Sequence, residues 1–337
     1  MILHFICPDP DSFTSGGNLY NRWLIARLRE RGWRVRQRAW PDLAAEAVAD
    51  PEAIFFYDSL YFDTLQLRSI GRPAVFICHY LSGMEDVAGM EASAPATWKQ
   101  LPLHFDHFLA PSALVRGLLT AKAGVDPQQV VLLPPLFEKI PAPVSKEREP
   151  PLIMLVANLV PVKGILPFLE NLDRTLGERA RLPRFELRIV GSLQLDQRYA
   201  AQVSSLIEKS LVLKERVRLC EPLANTDLLE WYRGSALLVS VSTFESFGMA
   251  IYEATMAGLP VVALSGGNVP NLVINGMNGL LFNDLSTLCE GLVDLLEQGD
   301  RRRRLRSYAL RQRPDPTLES ATGLDRLLAL LHQYAKS

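Results

Sequence analysis

From Ile2 onward, short apolar runs alternate with segments in which apolar residues recur at helical spacing. This alternation constrains the fold more than any other feature of the chain. A near-continuous apolar run suits a strand buried on both faces, and strands that alternate with helices pair in parallel. In the first half the predicted strands are Ile2–Cys7, Ala53–Tyr57, Ala74–Cys78, Phe105–Ala110 and Val130–Leu133. The first helix is predicted over Asn18–Arg31, with Leu19, Trp23, Ala26 and Leu28 at helical spacings and Gly32 as its stop. The second half repeats the pattern, with strands at Leu152–Val156, Phe185–Val190, Val217–Leu219, Ala236–Val241 and Pro260–Ala263 and a helix at Ile165–Leu176. Thr317–Tyr334 reads as a closing amphipathic helix. Between the halves, Pro134-Pro135, Ile140-Pro141-Ala142-Pro143 and Glu149-Pro150-Pro151 form a proline-rich, charged linker.

At 337 residues the chain is long for one core. The expected class is therefore α/β, with two Rossmann-like, doubly wound domains over residues 1–148 and 149–316 and a closing helix over 317–337. Open α/β sheets bind ligands at the C-terminal edges of their strands, so two such halves facing across a cleft would hold a ligand there. A formal net charge of −1 does not suit a nucleic-acid binder, and 48% hydrophobic residues suit packed domains. No apolar run approaches the length of about 18 residues that spans a bilayer. Met1–Cys7 lacks the basic start of a signal peptide and reads as the first strand. Cys7, Cys78, Cys220 and Cys289 have no metal-ligand spacing and read as reduced thiols of a cytoplasmic protein.

The chemistry concentrates in Ser242-Thr243-Phe244-Glu245-Ser246-Phe247-Gly248-Met249-Ala250-Ile251-Tyr252-Glu253-Ala254. The strand Ala236–Val241 leads through Gly248 into good helix formers, Met249–Ala257. The new helix opens beside Glu245 with free N–H groups and the positive end of its dipole, an anion site in waiting. Glu253, just over one turn into the helix, can accept hydrogen bonds from a vicinal diol. A sugar-phosphate ligand needs both features.

Further segments follow in order: Gly16-Gly17, Asn158-Leu159-Val160-Pro161-Val162-Lys163-Gly164, Leu187-Arg188-Ile189-Val190-Gly191, Gly258-Leu259-Pro260-Val261-Val262-Ala263, Gly266-Gly267 and Asn275-Gly276-Met277-Asn278-Gly279. Together with Ser242–Ala254 they resemble the retaining GT-B glycosyltransferases of family 4, over nearly the whole chain. The resemblance implies transfer of a hexose from a nucleotide-sugar, a UDP-sugar or GDP-mannose, to a hydroxyl of a glycan, a lipid or a small metabolite such as a pterin. It implies that Glu253 binds the ribose and Glu245 the donor sugar. Phe247, Gly248, Met249 and Ala250 would line the phosphate and sugar. Lys163 would stabilise the leaving diphosphate. Gly16 and Gly17 would close on the diphosphate and His79 would face the donor sugar. No metal is implied, and the nucleotide-sugar is a co-substrate, so no cofactor is expected. The closing helix would pack back on the first domain.

Two positions depart from the pattern. Asn158 stands where many relatives carry an arginine, which removes a cation from the diphosphate clamp. Asn271 stands where relatives usually have glutamate. Asn18 is a candidate cap for the first helix, and Asn275-Gly276 and Asn278-Gly279 read as turns tolerant of positive φ. His104-Phe105-Asp106-His107 looks like a metal cluster but alternates as a strand does. The arginines at 27, 29, 31, 34, 36 and 38, and at 301–304 and 306, read as solvated helix faces. The alternative for them is contact with anionic lipid headgroups, which would place the protein at the inner face of a membrane. A GT-B epimerase and a non-catalytic nucleotide-sugar binder remain as alternatives, and the oligomeric state is open.

Overall fold

A computed structural model of the chain describes residues 1–9, 15–39, 52–64, 70–88, 93–135, 137, 148–314 and 316–336. The chain divides into two compact units, Met1–Phe137 with Pro316–Ser337, and Glu138–Asp315. The sequence set its first boundary at 148/149. Most of the proline-rich linker, including Ile140–Pro143, lies outside the described residues.

In the first unit a six-stranded parallel sheet runs in the order β2-β1-β3-β4-β5-β6 among the described residues. Its strands are β1 (Ile2–Ile6), β2 (Arg34–Arg38), β3 (Ala53–Asp58), β4 (Ala74–Ile77), β5 (His107–Ala110) and β6 (Val130–Leu132). β3 and β4 are buried at every position, as a strand covered on both faces must be. Helix α1 (Gly16–Glu30) lays Tyr20, Leu24, Ile25 and Leu28 against Leu3, Phe5 and Ile54. Helix α2 (Ala113–Ala121) starts on Ser112, whose hydroxyl accepts from the Val115 N–H.

The second unit holds a second parallel sheet, in the order β12-β11-β10-β7-β8-β9. Its strands are β7 (Leu152–Val156), β8 (Glu186–Val190), β9 (Val217–Cys220), β10 (Leu237–Ser240), β11 (Val261–Leu264) and β12 (Gly279–Phe282). The longer helices are α3 (Ile165–Gly177), α4 (Gln197–Lys209), α5 (Asn225–Gly234), α6 (Met249–Met256), α7 (Leu285–Glu297) and α8 (Gly299–Arg311). The apolar stripe of α3, Ile165, Phe168, Leu169, Leu172 and Leu176, packs into a core with Leu288, Leu292 and Leu295 of α7. Each sheet reverses its order once, at β1/β3 and at β7/β10. A crevice opens at such a switch point, beyond the carboxyl ends of the strands.

The closing helix, α9 (Pro316–Lys336), packs Leu324, Leu327 and Leu331 into the core of the first unit. A Cβ on Gly323 would lie 2.3 Å from the Leu132 carbonyl oxygen, so only glycine lets α9 lie this close to β6.

Several sequence expectations need correction. The arginine run 27–38 is not one helix face. Arg27 and Arg29 end α1, and Arg34, Arg36 and Arg38 lie on the edge strand β2, which the sequence reading missed. Their period of two fits a strand with one face on the core, where Val35 packs. Charges on an edge strand also discourage further strand pairing. Phe105 precedes β5 rather than starting it, because Asp106 turns back to accept from the Ala74 N–H. Gly279 has no positive φ; it lies in β12, where a Cβ would meet the Val261 carbonyl at 2.1 Å.

Candidate active site

Lys163 and Glu245 come from the loops that leave the C-terminal ends of β7 and β10, neighbours at the switch point. Pro161–Lys163 forms a single 3-10 turn that ends at Gly164, whose φ of 68° also opens α3. A side chain there would meet the Val241 carbonyl at 2.8 Å, so the Lys163 turn lies directly against the chain that leads to Glu245. The result is an ion pair, with Lys163 Nζ 2.7 Å from Glu245 Oε1 and both side chains partly open to solvent.

The Glu245 loop is held from below. Asn268 N–H donates to the Glu245 carbonyl at 2.7 Å, and the Asn268 carboxamide donates to the Phe247 carbonyl at 2.8 Å. A Cβ on Gly266 would lie 1.8 Å from the Thr243 carbonyl oxygen, and one on Gly267 would lie 2.3 Å from that of Glu245. Gly266-Gly267-Asn268 is therefore a cradle for the loop, a role the sequence reading did not assign. Asn271 belongs to it, donating to Asn268 Oδ1 at 2.9 Å.

Gly248, at φ 88°, turns the chain into α6, and no side chain caps that helix. The N–H groups of Met249 and Ala250 belong to its first turn, where intrahelical partners do not exist. Phe247 is buried with its ring 5.3 Å from that of Tyr252. Glu253 is buried and accepts from the Tyr232 hydroxyl at 3.1 Å, a partner from α5 that no sequence signal announced. Burial pushes the Glu253 carboxyl up to about 7, against the Tyr232 hydrogen bond, which lowers it.

The Asn158 carboxamide oxygen accepts from the Ser192 N–H at 3.0 Å. Gly191 makes this possible, since a Cβ there would fall 2.0 Å from the Ala157 carbonyl oxygen.

The remaining predicted residues lie in the first unit. Gly16 and Gly17 are not a turn before α1 but its first turn; Ser15 is the cap, accepting from the Asn18 N–H, so Asn18 is not. Gly17 lies against the His79 ring, with a built Cβ 3.2 Å from His79 Cδ2. His79, just beyond β4, hydrogen-bonds Asn21, which in turn bonds Asp58 at the end of β3. Neither Asn21 nor Asp58 was singled out from sequence. The His104–His107 segment is structural: Asp106 pairs with Arg72 and His107 Nε2 lies 3.0 Å from the Tyr334 hydroxyl. Among the described residues no group of three or more His, Cys, Asp or Glu side chains could hold a metal ion, and no helix is long and apolar enough to cross a membrane.

The family description "Glycosyl transferases group 1" matches residues 137–312, just over half of the chain. The chain belongs to this family, and with it to the glycosyltransferases. Curated relatives extend the match into the first unit. The D-inositol 3-phosphate glycosyltransferase of Acidothermus cellulolyticus is 25% identical over 84% of this chain and 69% of its own length. The protein of the same name from Mycobacterium sp. (strain JLS) is 25% identical over 76% of this chain and 62% of its own length. The chain thus spans about two thirds of the length of these relatives. Solved structures share the two-sheet GT-B fold. Sucrose-phosphate synthase from Thermosynechococcus elongatus superposes with a TM-score of 0.75 at 19% identity, covering 99% of both chains. Anabaena HepE, solved with UDP and glucose, gives 0.73 at 18% identity, covering 98% of this chain and all of its own.

Proposed function

We propose that this glycosyltransferase moves a hexosyl group from a UDP-sugar to a hydroxyl acceptor with retention of configuration and without a metal ion. The observation that carries the proposal is the Lys163–Glu245 pair at the β7/β10 switch point, beside the uncapped start of α6. The diphosphate lies against Lys163 and the first-turn N–H groups of α6, which supply positive charge without a bound cation. An ammonium has three donors, so Lys163 can keep Glu245 and still bind a phosphate oxygen. Glu245 accepts from hydroxyls of the donor sugar, and Glu253 from the ribose diol.

The acceptor oxygen bonds to C1 of the sugar on the face from which the diphosphate leaves. The C1–O electron pair passes to the phosphate oxygen, where Lys163 and the helix N–H groups stabilise the charge as it grows. The acceptor proton goes to that same oxygen, so no protein nucleophile is used. Asn158 brings no charge, so Lys163 supplies the side-chain positive charge for this stabilisation. UDP and UDP-glucose, found in complexes of HepE, support uridine as the base, and the names of the relatives make a phosphorylated cyclitol the first acceptor to try.

The test is UDP release from UDP-glucose in the presence of inositol phosphate, sugar and lipid acceptors, with the anomeric configuration of the product read by NMR. An α-linked product from the α-linked donor supports the proposal. An inverted product, or free epimerised sugar without acceptor, overturns it.

A further inference from the structure

The first unit buries a charge that touches none of the groups proposed to bind the donor in the second unit. Asp58 is fully buried at the end of β3, and Asn21 is fully buried on α1. An aspartate in such a place is costly unless something uses it or satisfies it. Its Oδ1 accepts from the Leu60 N–H at 2.8 Å, and its Oδ2 accepts from Asn21 Nδ2 at 2.5 Å. A carboxylate only accepts, so it fixes which way the Asn21 carboxamide points. The amide nitrogen faces Asp58 and the amide oxygen faces His79, where Oδ1 lies 3.0 Å from Nε2. An oxygen there only accepts, so Nε2 must carry a proton. His79 is largely buried, and burial opposes a second proton on the ring, outweighing the pull of Asp58 Oδ2, which lies 3.7 Å from Nε2. The neutral ring is then the Nε2–H tautomer, and its lone pair sits on Nδ1.

The ring cannot easily turn away from this arrangement. Tyr20 meets it edge-on with centroids 4.9 Å apart, and Gly17 also lies against the ring. Ser59 Oγ accepts from the backbone N–H groups of both His79 and Tyr80 and pins the loop. Nδ1 makes no hydrogen bond among the described residues and is not sealed from solvent.

We infer that Asn21 and Asp58 are positioning residues that hold His79 in its Nε2–H tautomer, so that Nδ1 offers a lone pair to a sugar hydroxyl. The inference rests on the glycosyl-transfer reading for the hydroxyl, but the tautomer is a property of the protein alone. The chain from Asp58 through Asn21 reads out in one direction only, and an isosteric change reverses it. In Asp58→Asn the new amide oxygen keeps the Leu60 N–H, and the new NH₂ faces Asn21. Asn21 must then turn its oxygen to that NH₂ and its own NH₂ to His79, which forces the proton onto Nδ1.

The experiment is ¹⁵N NMR of the imidazoles in the full chain, with His79 among the five histidines assigned by its loss in His79→Gln. Expected are a protonated Nε2 and a bare Nδ1 in the parent protein, reversed in Asp58→Asn, with UDP-glucose turnover in that variant down by roughly tenfold or more, the worth of one hydrogen bond in the transition state. Asn21→Ala, expected to show mixed tautomers and a similar loss, serves if Asp58→Asn does not fold. A protonated Nδ1 in the parent protein overturns the inference, as does a reversed tautomer with undiminished turnover. If the parent turns over no nucleotide-sugar, the proposed function fails, while the parent tautomer still decides whether Asp58 and Asn21 set the ring.

Discussion

Lys163 Nζ lies 2.7 Å from Glu245 Oε1, although 82 residues separate them in sequence. The two loops meet because β7 and β10 are neighbours in the sheet. Both side chains keep some contact with water, 31% exposed for Lys163 and 18% for Glu245. A pair in that setting contributes only about 0–1 kcal/mol to stability. Lys163→Ala should therefore leave the melting temperature nearly unchanged while UDP-glucose turnover falls about 10²–10³-fold, the usual cost of removing one preorganised charge-stabilising group. Differential scanning fluorimetry beside steady-state kinetics checks both halves of the expectation.

The cradle under Glu245 makes a prediction that a positive-φ control can isolate. Gly267 has φ 59°, and a Cβ would meet the Glu245 carbonyl at 2.3 Å; Gly276 has φ 78° with open space around it. Alanine at either position carries backbone strain of about 1–2 kcal/mol. Only Gly267→Ala also displaces the loop. Both variants should lose stability, and Gly267→Ala alone should weaken donor binding, by about tenfold or more for the lost sugar contacts of Glu245. Equal donor affinity in the two variants would show that the cradle does not set the site.

Glu253 gives the site a pH dependence. Its carboxyl is raised from the model-compound value of 4.5 to about 7 by burial. With the folded value above the unfolded one, the stabilisation from its proton is complete below 4.5 and is lost as pH rises through about 7. A ribose diol donates best to the ionised form. UDP affinity should accordingly rise with pH up to about 7 and then level off, by at most about tenfold per pH unit. Tyr232→Phe removes a hydrogen bond that favours the ionised form, so the rise should move to higher pH; Glu253→Gln should flatten it. Calorimetric titration with UDP across this range checks the slope and its shift.

The second arginine run also has a measurable division of labour. Arg302 is buried, donating to the Leu295 carbonyl at 3.0 Å and to that of Leu296 at the end of α7. Arg306 donates to the Ser235 carbonyl at 2.7 Å. Arg304 is exposed. Arg302→Met should lower unfolding stability by about 2 kcal/mol, because it removes a buried charged donor from the last carbonyls of α7, of which that of Leu295 keeps the Gln298 N–H. Arg304→Met should have almost no effect, and chemical denaturation distinguishes the two.

How much of this was legible depended on whether a residue's role was local. Apart from β2 and β12, the strands of both sheets announced themselves as apolar runs, and the turn Gly248 into α6 was readable because glycine, strand end and helix formers are adjacent in sequence. β2 was not, because Arg34, Arg36 and Arg38 read as an extension of the helical arginines when only Val35 marks the buried face. Asp58 meets Asn21 across 37 positions, Asn21 meets His79 across 58, and Tyr232 and Asn268 each reach a partner 21 positions away, where sequence spacing carries no geometry. Two of them left a trace: Asp58 is a charge ending a wholly apolar strand, and Asn21 is a polar residue on the buried stripe of α1. Tyr232 left none.

On the proposed function, the Glu138–Asp315 unit holds a nucleotide through α6, with Glu253 on the ribose. The most direct measurement is calorimetric titration of UDP, UDP-glucose and GDP into the parent protein and Glu253→Ala at a pH above about 7, where the carboxylate is ionised. Expected is uridine-selective binding that weakens by about tenfold or more in the variant, as loss of a charged hydrogen-bond acceptor requires. No binding by any of the three, or equal affinity in parent and variant, would contradict it.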